Sequence, residues 1–168
     1  MTDRDQIIEK INLYGLAMDS QRWDLFDRIF TERCDADYGP TAQWTDRAQF
    51  KADFGTFHQS FDATQHVMTN HLVTVDGDVA HSLTYGMWRL IRRAAEGDPL
   101  WDGTGWYDDA WVRTHSGWLI ARRVCKVVWA TGNPRVQELF DGVKFELVPA
   151  SIRQESAAGR LEYLNFIS

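Results

Sequence analysis

Hydrophobic spacing changes character once along this chain, near Ala63, and that change does most to limit its fold. Before it, apolar residues recur at three- and four-residue steps. Ile7, Ile11, Tyr14 and Met18 form one stripe behind Thr2 and Asp3; Trp23, Phe26, Ile29 and Phe30 form a shorter one after Asp19-Ser20; Phe50, Phe54 and Phe57 form a third. These spacings predict two helices joined by a tight corner, a short strand or hairpin over 33–44 turned at Gly39-Pro40, and a third helix. After Ala63, residues 64–75, 79–93, 104–114 and 117–130 read as strands, separated by Asp76-Gly77-Asp78, a 94–103 loop, and His115-Ser116-Gly117. Three helices followed by a four-stranded antiparallel meander make an α+β domain. Gly132-Asn133-Pro134 closes the meander, and helical stretches near 135–141 and 151–164 form a C-terminal tail. A strongly bent sheet wrapped around a long helix leaves a conical cavity whose wall comes from alternate strand positions.

Composition narrows the function classes. With 168 residues, 44% of them hydrophobic and 25% charged, the chain suits one domain over residues 1–168 with a single sizeable core, its last part, 131–168, being the tail. A formal charge of −6 argues against nucleic acid, whose binding is driven by basic surface. No apolar run approaches the ~20 residues that span a bilayer, so a soluble, cytoplasmic protein with no membrane partner is expected. Cys34 and Cys125 fit neither a disulfide framework nor a four-ligand zinc site and read as small buried apolar residues in a reducing compartment. Eight Trp, nine Phe and five Tyr exceed what a core of this size needs and point to a pocket lined by rings.

Gly-rich phosphate loops, Gly-x-Ser-x-Gly elbows and His-Glu-x-x-His are all absent. Of five histidines, His115 lies in a turn, His81 reads as a surface residue, and His58, between Phe57 and Phe61, reads as a satisfied boundary histidine. His66 and His71 share a strand but are five residues apart, so strict alternation puts them on opposite faces; with Met68 and Asn70 inward, His66 is inward too. An inward histidine works as a general acid or base when a carboxylate fixes its tautomer. Asp19, at the helical corner, is the candidate partner, although its spacing fits a helix cap better. Tyr14 and Tyr38 offer hydroxyls; Asn70 and Arg123 are polar residues among apolar neighbours; the remaining strand arginines read as a solvated face.

Tyr14 with Asp19 five positions on, Tyr38, the run His66-Val67-Met68-Thr69-Asn70, the Asp76-Gly77-Asp78 turn, and Gly105-Trp106-Tyr107-Asp108-Asp109 leading to Arg113, Gly117-Trp118 and Arg123 together resemble the SnoaL-like group of the nuclear-transport-factor-2-like superfamily. The resemblance covers about residues 3–130. It implies a cystatin-like α+β barrel: a cone-shaped, curved antiparallel sheet wrapped around N-terminal helices. Within the superfamily the pattern is similar to scytalone dehydratase, bile-acid 7α-dehydratase and hexachlorocyclohexane dehydrochlorinase, which eliminate small groups without a cofactor. Carried over, their His–Asp dyad falls on His66 and Asp19, two dehydratase tyrosines on Tyr14 and Tyr38, and a dehydrochlorinase arginine on Arg123. One departure is that scytalone dehydratase has a second catalytic histidine on the next strand, where Tyr85 to Ile91 offers none. The resemblance therefore implies a lyase needing neither cofactor nor metal, with Met68, Asn70, Tyr85, Trp88, Tyr107, Trp111 and Arg123 lining a pocket for a hydrophobic aromatic or polycyclic small molecule. Dehydration and a carbon–carbon cleavage releasing formaldehyde use the same groups, as do isomerases and cyclases. The superfamily also includes non-catalytic small subunits of ring-hydroxylating dioxygenases. A homo-oligomer, trimer or dimer, is expected, with Phe140, Phe145, Leu147 and Phe166 of the tail folding over the cone mouth or onto a neighbour.

Overall fold

The computed structural model describes residues 1–138 and 148–168. Helix α1 (Asp3–Asp19) starts at a capping box, in which the Thr2 hydroxyl accepts from the Asp5 amide and the Asp5 carboxylate accepts from the Thr2 amide. Its stripe of Ile7, Ile11, Tyr14 and Met18 is buried throughout. The second stripe forms a 3-10 helix (Trp23–Arg28) rather than an α-helix, because Phe30 already opens strand β1 (Phe30–Asp37). β1 turns back through β2 (Gln43–Trp44), and Asp46 then caps α2 (Arg47–His58) through the Gln49 amide. Four long strands follow: β3 (Ala63–Asp76), β4 (Val79–Ile91), β5 (Leu100–Thr114) and β6 (Gly117–Gly132). The connection before β5 is shorter than the sequence suggests, since Leu100 and Trp101 already pair with Ile91 and Leu90.

Among the described residues the sheet has six strands, the expected four-stranded meander extended by β1 and β2, in the order β2-β1-β6-β5-β4-β3, antiparallel except where β1 runs parallel to β6. That parallel pairing joins residues about ninety positions apart, so local periodicity carries no sign of it. The sheet curves around α1, which lies against β3; at Gly15 a Cβ would stand 3.3 Å from the His66 carbonyl oxygen and from Met68. On the concave face, Gly86 leaves space for rings: a Cβ there would meet Tyr107 at 2.8 Å.

The faces of β3 exchange at a bulge. Register shifts between Thr69 and Leu72, and Asn70 adopts φ 53°, a left-handed conformation that Asn tolerates better than most residues. Strict alternation therefore fails: beyond the bulge, His71 also reaches the concave side, where its Nδ1 lies 3.2 Å from the hydroxyl of the buried Thr84. Asn70 itself is exposed.

The tail begins with a 3-10 turn (Pro134–Gln137) and ends with short helices α3 (Ile152–Ala157) and α4 (Glu162–Ile167). The rest of the expected 135–141 helix, and Phe140, Phe145 and Leu147, lie outside the described residues. α4 packs on the convex face: Leu161 and Tyr163 join Leu83, Trp106 and Val124 in a second buried cluster. The Asp108 carboxylate accepts from the Glu162 and Tyr163 amides at 2.6 and 3.1 Å, while burial pushes that carboxyl up to about 6. His81 is not a surface residue but half-buried beneath the stacked ring of Phe166, 4.3 Å between centroids. None of the helices among the described residues is long and apolar enough to cross a membrane.

Candidate active site

The concave side holds a cavity of about 590 Å³, measured to include its open mouth. Helices and strands both contribute to its wall: Tyr14 and Met18 from α1, His58 from α2, His66 from β3, Trp88 from β4 and Tyr107 from β5. Apolar side chains make most of the lining, and the polar groups are few and convergent.

Asp19, the last residue of α1, does not cap the next helix; the residue before that 3-10 helix is Arg22, which makes no side-chain cap. Its carboxylate turns instead to β3. There Oδ1 accepts from His66 Nδ1 at 2.7 Å and from the Thr64 hydroxyl at 2.8 Å, and Oδ2 accepts from the His66 amide at 2.9 Å. Thr64 and His66 are two apart on one strand, so both meet the helix end. Burial alone would raise the Asp19 carboxyl, but the bonds from the His66 ring and amide, its charge and Thr64 together hold it below its ordinary 3.8. An ionised carboxylate only accepts, so Nδ1 carries a proton, and the neutral form of the ring is the tautomer with its lone pair on Nε2.

Next to the imidazole lies a cluster of phenols. The Tyr14 ring stands edge-on to His66 with centroids 6.4 Å apart, and its hydroxyl is 2.9 Å from that of Tyr38. Trp88 donates its indole N–H to the Tyr107 hydroxyl at 2.6 Å. Burial pushes Tyr14 up to about 12, against the opposing pull of Arg123 and the Tyr38 bond, and raises Tyr38 and Tyr107 well above their ordinary value. All three are neutral phenols at neutral pH, suited to donating hydrogen bonds rather than to accepting a proton.

Several residues expected at the pocket lie elsewhere. Tyr85 points from the convex face and is 42% exposed. Asn70 is displaced by its own bulge. Met68 sits beneath α1 at Gly15. Trp111 is core, donating its indole N–H to the Ser82 hydroxyl at 2.9 Å. Arg123 has no exposed surface; it grips Asp109 through Nε and Nη2, both at 2.7 Å, and lies 4.3 Å over Tyr14 and 4.5 Å over Tyr107, behind the rings that form the wall. In their place stand Met18, Phe54, Phe57, Leu90, Trp101, Cys125, Val127 and Gln137, together with His58. His58 was legible in principle, since it lies one helical turn after Phe54 on the same stripe. Among the described residues no group of three or more His, Cys, Asp or Glu is placed to hold a metal ion.

This geometry can be compared with known proteins. The family profile of the SnoaL-like domain matches residues 1–124. The chain belongs to the SnoaL-like family. An uncharacterised relative from Mycobacterium tuberculosis is 33% identical over 125 residues, covering 74% of this chain and 84% of the relative. A Kribbella flavida protein of known structure superposes with TM-score 0.72 at 26% identity, over 77% of this chain and 93% of that one. A Novosphingobium aromaticivorans protein named for scytalone dehydratase gives 0.67 at 22% identity, over 78% and 91%. A hexachlorocyclohexane dehydrochlorinase gives 0.65 at 11%, over 76% and 86%. At those last two identities the likeness is one of fold: the SnoaL-like chain shares the cystatin-like, NTF2-like α+β architecture of its neighbours.

Proposed function

We propose that this SnoaL-like protein is a lyase that eliminates a small group from a hydrophobic, ring-bearing molecule in the concave cavity, without a cofactor. The observation that carries this reading is the 2.7 Å contact between Asp19 and His66 at the edge of an aromatic-lined hollow, because it fixes the tautomer in which the neutral ring of this cavity-lining histidine has its lone pair on Nε2, the form a general base needs. His66 would take an acidic proton from carbon or from a hydroxyl, Asp19 would balance the imidazolium so formed, and the same nitrogen would return the proton to the departing group. One base serves both steps. Tyr14 and Tyr38 share one hydrogen bond, so one of their two hydroxyl protons stays free to stabilise the oxygen on which charge develops. The fold neighbours named as a dehydratase and a dehydrochlorinase support the reaction class.

The test is a screen of ring-bearing hydroxy compounds by mass spectrometry, wild type against His66→Ala. The expected result is a product lighter by water or by formaldehyde, lost at least ~100-fold in the variant while its circular dichroism is unchanged, the scale of a positioned general base. A product of unchanged mass would indicate an isomerase or cyclase instead, and a variant that turns over normally would refute the dyad.

A further inference from the structure

His58 contributes a second imidazole to the cavity wall. It is the last residue of α2 and only 2% exposed, ringed by four aromatic side chains with centroids at 5.2 Å to Trp23, 5.6 Å to Phe54, 5.2 Å to Phe57 and 5.5 Å to Phe61. Its Nδ1 lies 2.7 Å from the Phe54 carbonyl oxygen one turn back. A carbonyl only accepts, so Nδ1 carries the proton and Nε2 is a bare acceptor. Among the described residues nothing donates to that nitrogen, and the residue lines the cavity, where a ligand can supply a donor. The His66 ring centre is 6.4 Å away, which places two imidazole acceptors side by side on one wall.

We propose that His58 Nε2 is the acceptor that selects the substrate, taking a hydrogen bond from a hydroxyl on an aromatic ring and thereby setting which carbon faces His66. This rests on the cavity being the substrate site. It narrows the substrate class to hydroxylated aromatics whose hydroxyl is not alkylated, because an ether oxygen meets the lone pair without a proton to offer. Burial among rings depresses the His58 imidazole to about 3, with the neighbouring His66 adding to the effect and the Phe54 carbonyl opposing it, so it stays neutral and cannot act as the acid. Its role is to position and discriminate.

The experiment uses binding and not turnover. p-Cresol and 4-methylanisole are titrated into the full-length protein by calorimetry, with toluene as a control for cavity volume, in wild type, His58→Phe and His66→Ala. The expected outcome is that the p-cresol to 4-methylanisole affinity ratio falls ~10-fold in His58→Phe, the worth of one buried neutral hydrogen bond, and holds in His66→Ala. In the wild-type protein, the nitrogen resonance of His58 Nε2 moves on adding p-cresol and stays put on adding 4-methylanisole. Absence of p-cresol binding, an unchanged ratio in His58→Phe, a ratio lost only in His66→Ala, or a silent Nε2 resonance would overturn the proposal. Since no probe reacts, these results stand apart from whether His66 is a base.

Discussion

Asp109 with Arg123 and Asp19 with His66 both pair a carboxylate with a nitrogen side chain on the concave side of the sheet, yet they differ in the properties that separate scaffold from chemistry. The first joins directly opposed residues of β5 and β6, has no exposed surface, and engages its carboxylate at both oxygens. Rings of Tyr14, Tyr107 and Phe30 cover the guanidinium. The second joins a helix end to a strand at the rim, has side chains 26% and 6% exposed for Asp19 and His66, and among the described residues leaves one imidazole nitrogen without a hydrogen bond. A permanently charged, fully enclosed pair holds shape, whereas a titratable group with a free lone pair beside a cavity can move a proton. The two are linked, since Arg123 supports the Tyr14 and Tyr107 rings that form the wall next to His66.

Asp109→Ala leaves a buried guanidinium without its partner and should cost ~3–5 kcal/mol in urea unfolding, against ~1 kcal/mol or less for Asp19→Asn at the partly exposed rim. Equal losses would show that both pairs are structural. Activity sharpens the contrast from the other side. Asp19→Asn keeps the shape but lets the amide present either its oxygen or its NH2 group to His66, so the Nδ1–H tautomer is no longer enforced; kcat/KM should fall at least ~10-fold at neutral pH with the fold intact. An unchanged pH–rate profile in that variant would remove Asp19 from the chemistry.

A third test concerns the acid stability that His58 brings to the fold. His58 is held neutral in the fold, depressed from 6.5 to about 3, while an unfolded chain protonates it below 6.5. The stabilisation of the neutral form is thus fully present above pH 6.5 and is lost as pH falls toward 3, at up to ~1.4 kcal/mol per pH unit. The groups facing it are His66, beside it on the same wall, and Asp19, bonded to the His66 ring; Asp19, held below 3.8, adds its own loss only under that value. The unfolding free energy of wild type should therefore fall relative to that of His58→Phe as pH drops from 6.5 to 4. Parallel curves would mean that His58 titrates normally.

What was readable along the chain was local. Thr2 and the Ile7–Ile11–Tyr14–Met18 stripe specify α1, Asp76-Gly77-Asp78 specifies a hairpin, and the shift in period at Ala63 separates helices from sheet, because caps, turns and amphipathic faces depend on residues within a few positions of one another. Tyr14, Tyr38 and His66 stand out by residue type and by family likeness, and Asp19, whose spacing favours a cap, by family likeness; in the folded chain the first three line one hollow and Asp19 bonds to the His66 ring. The faces were decided by tertiary structure. One left-handed residue at Asn70 broke the alternation that had assigned Asn70 to the pocket and His71 away from it, and Arg123 was withdrawn behind the wall by a partner fourteen residues upstream. His58 gained its place from the burial of the α2 stripe, which periodicity indicates, and its meaning from the Phe54 carbonyl and a wall shared with His66, which only the packing of a helix against a curved sheet brings together.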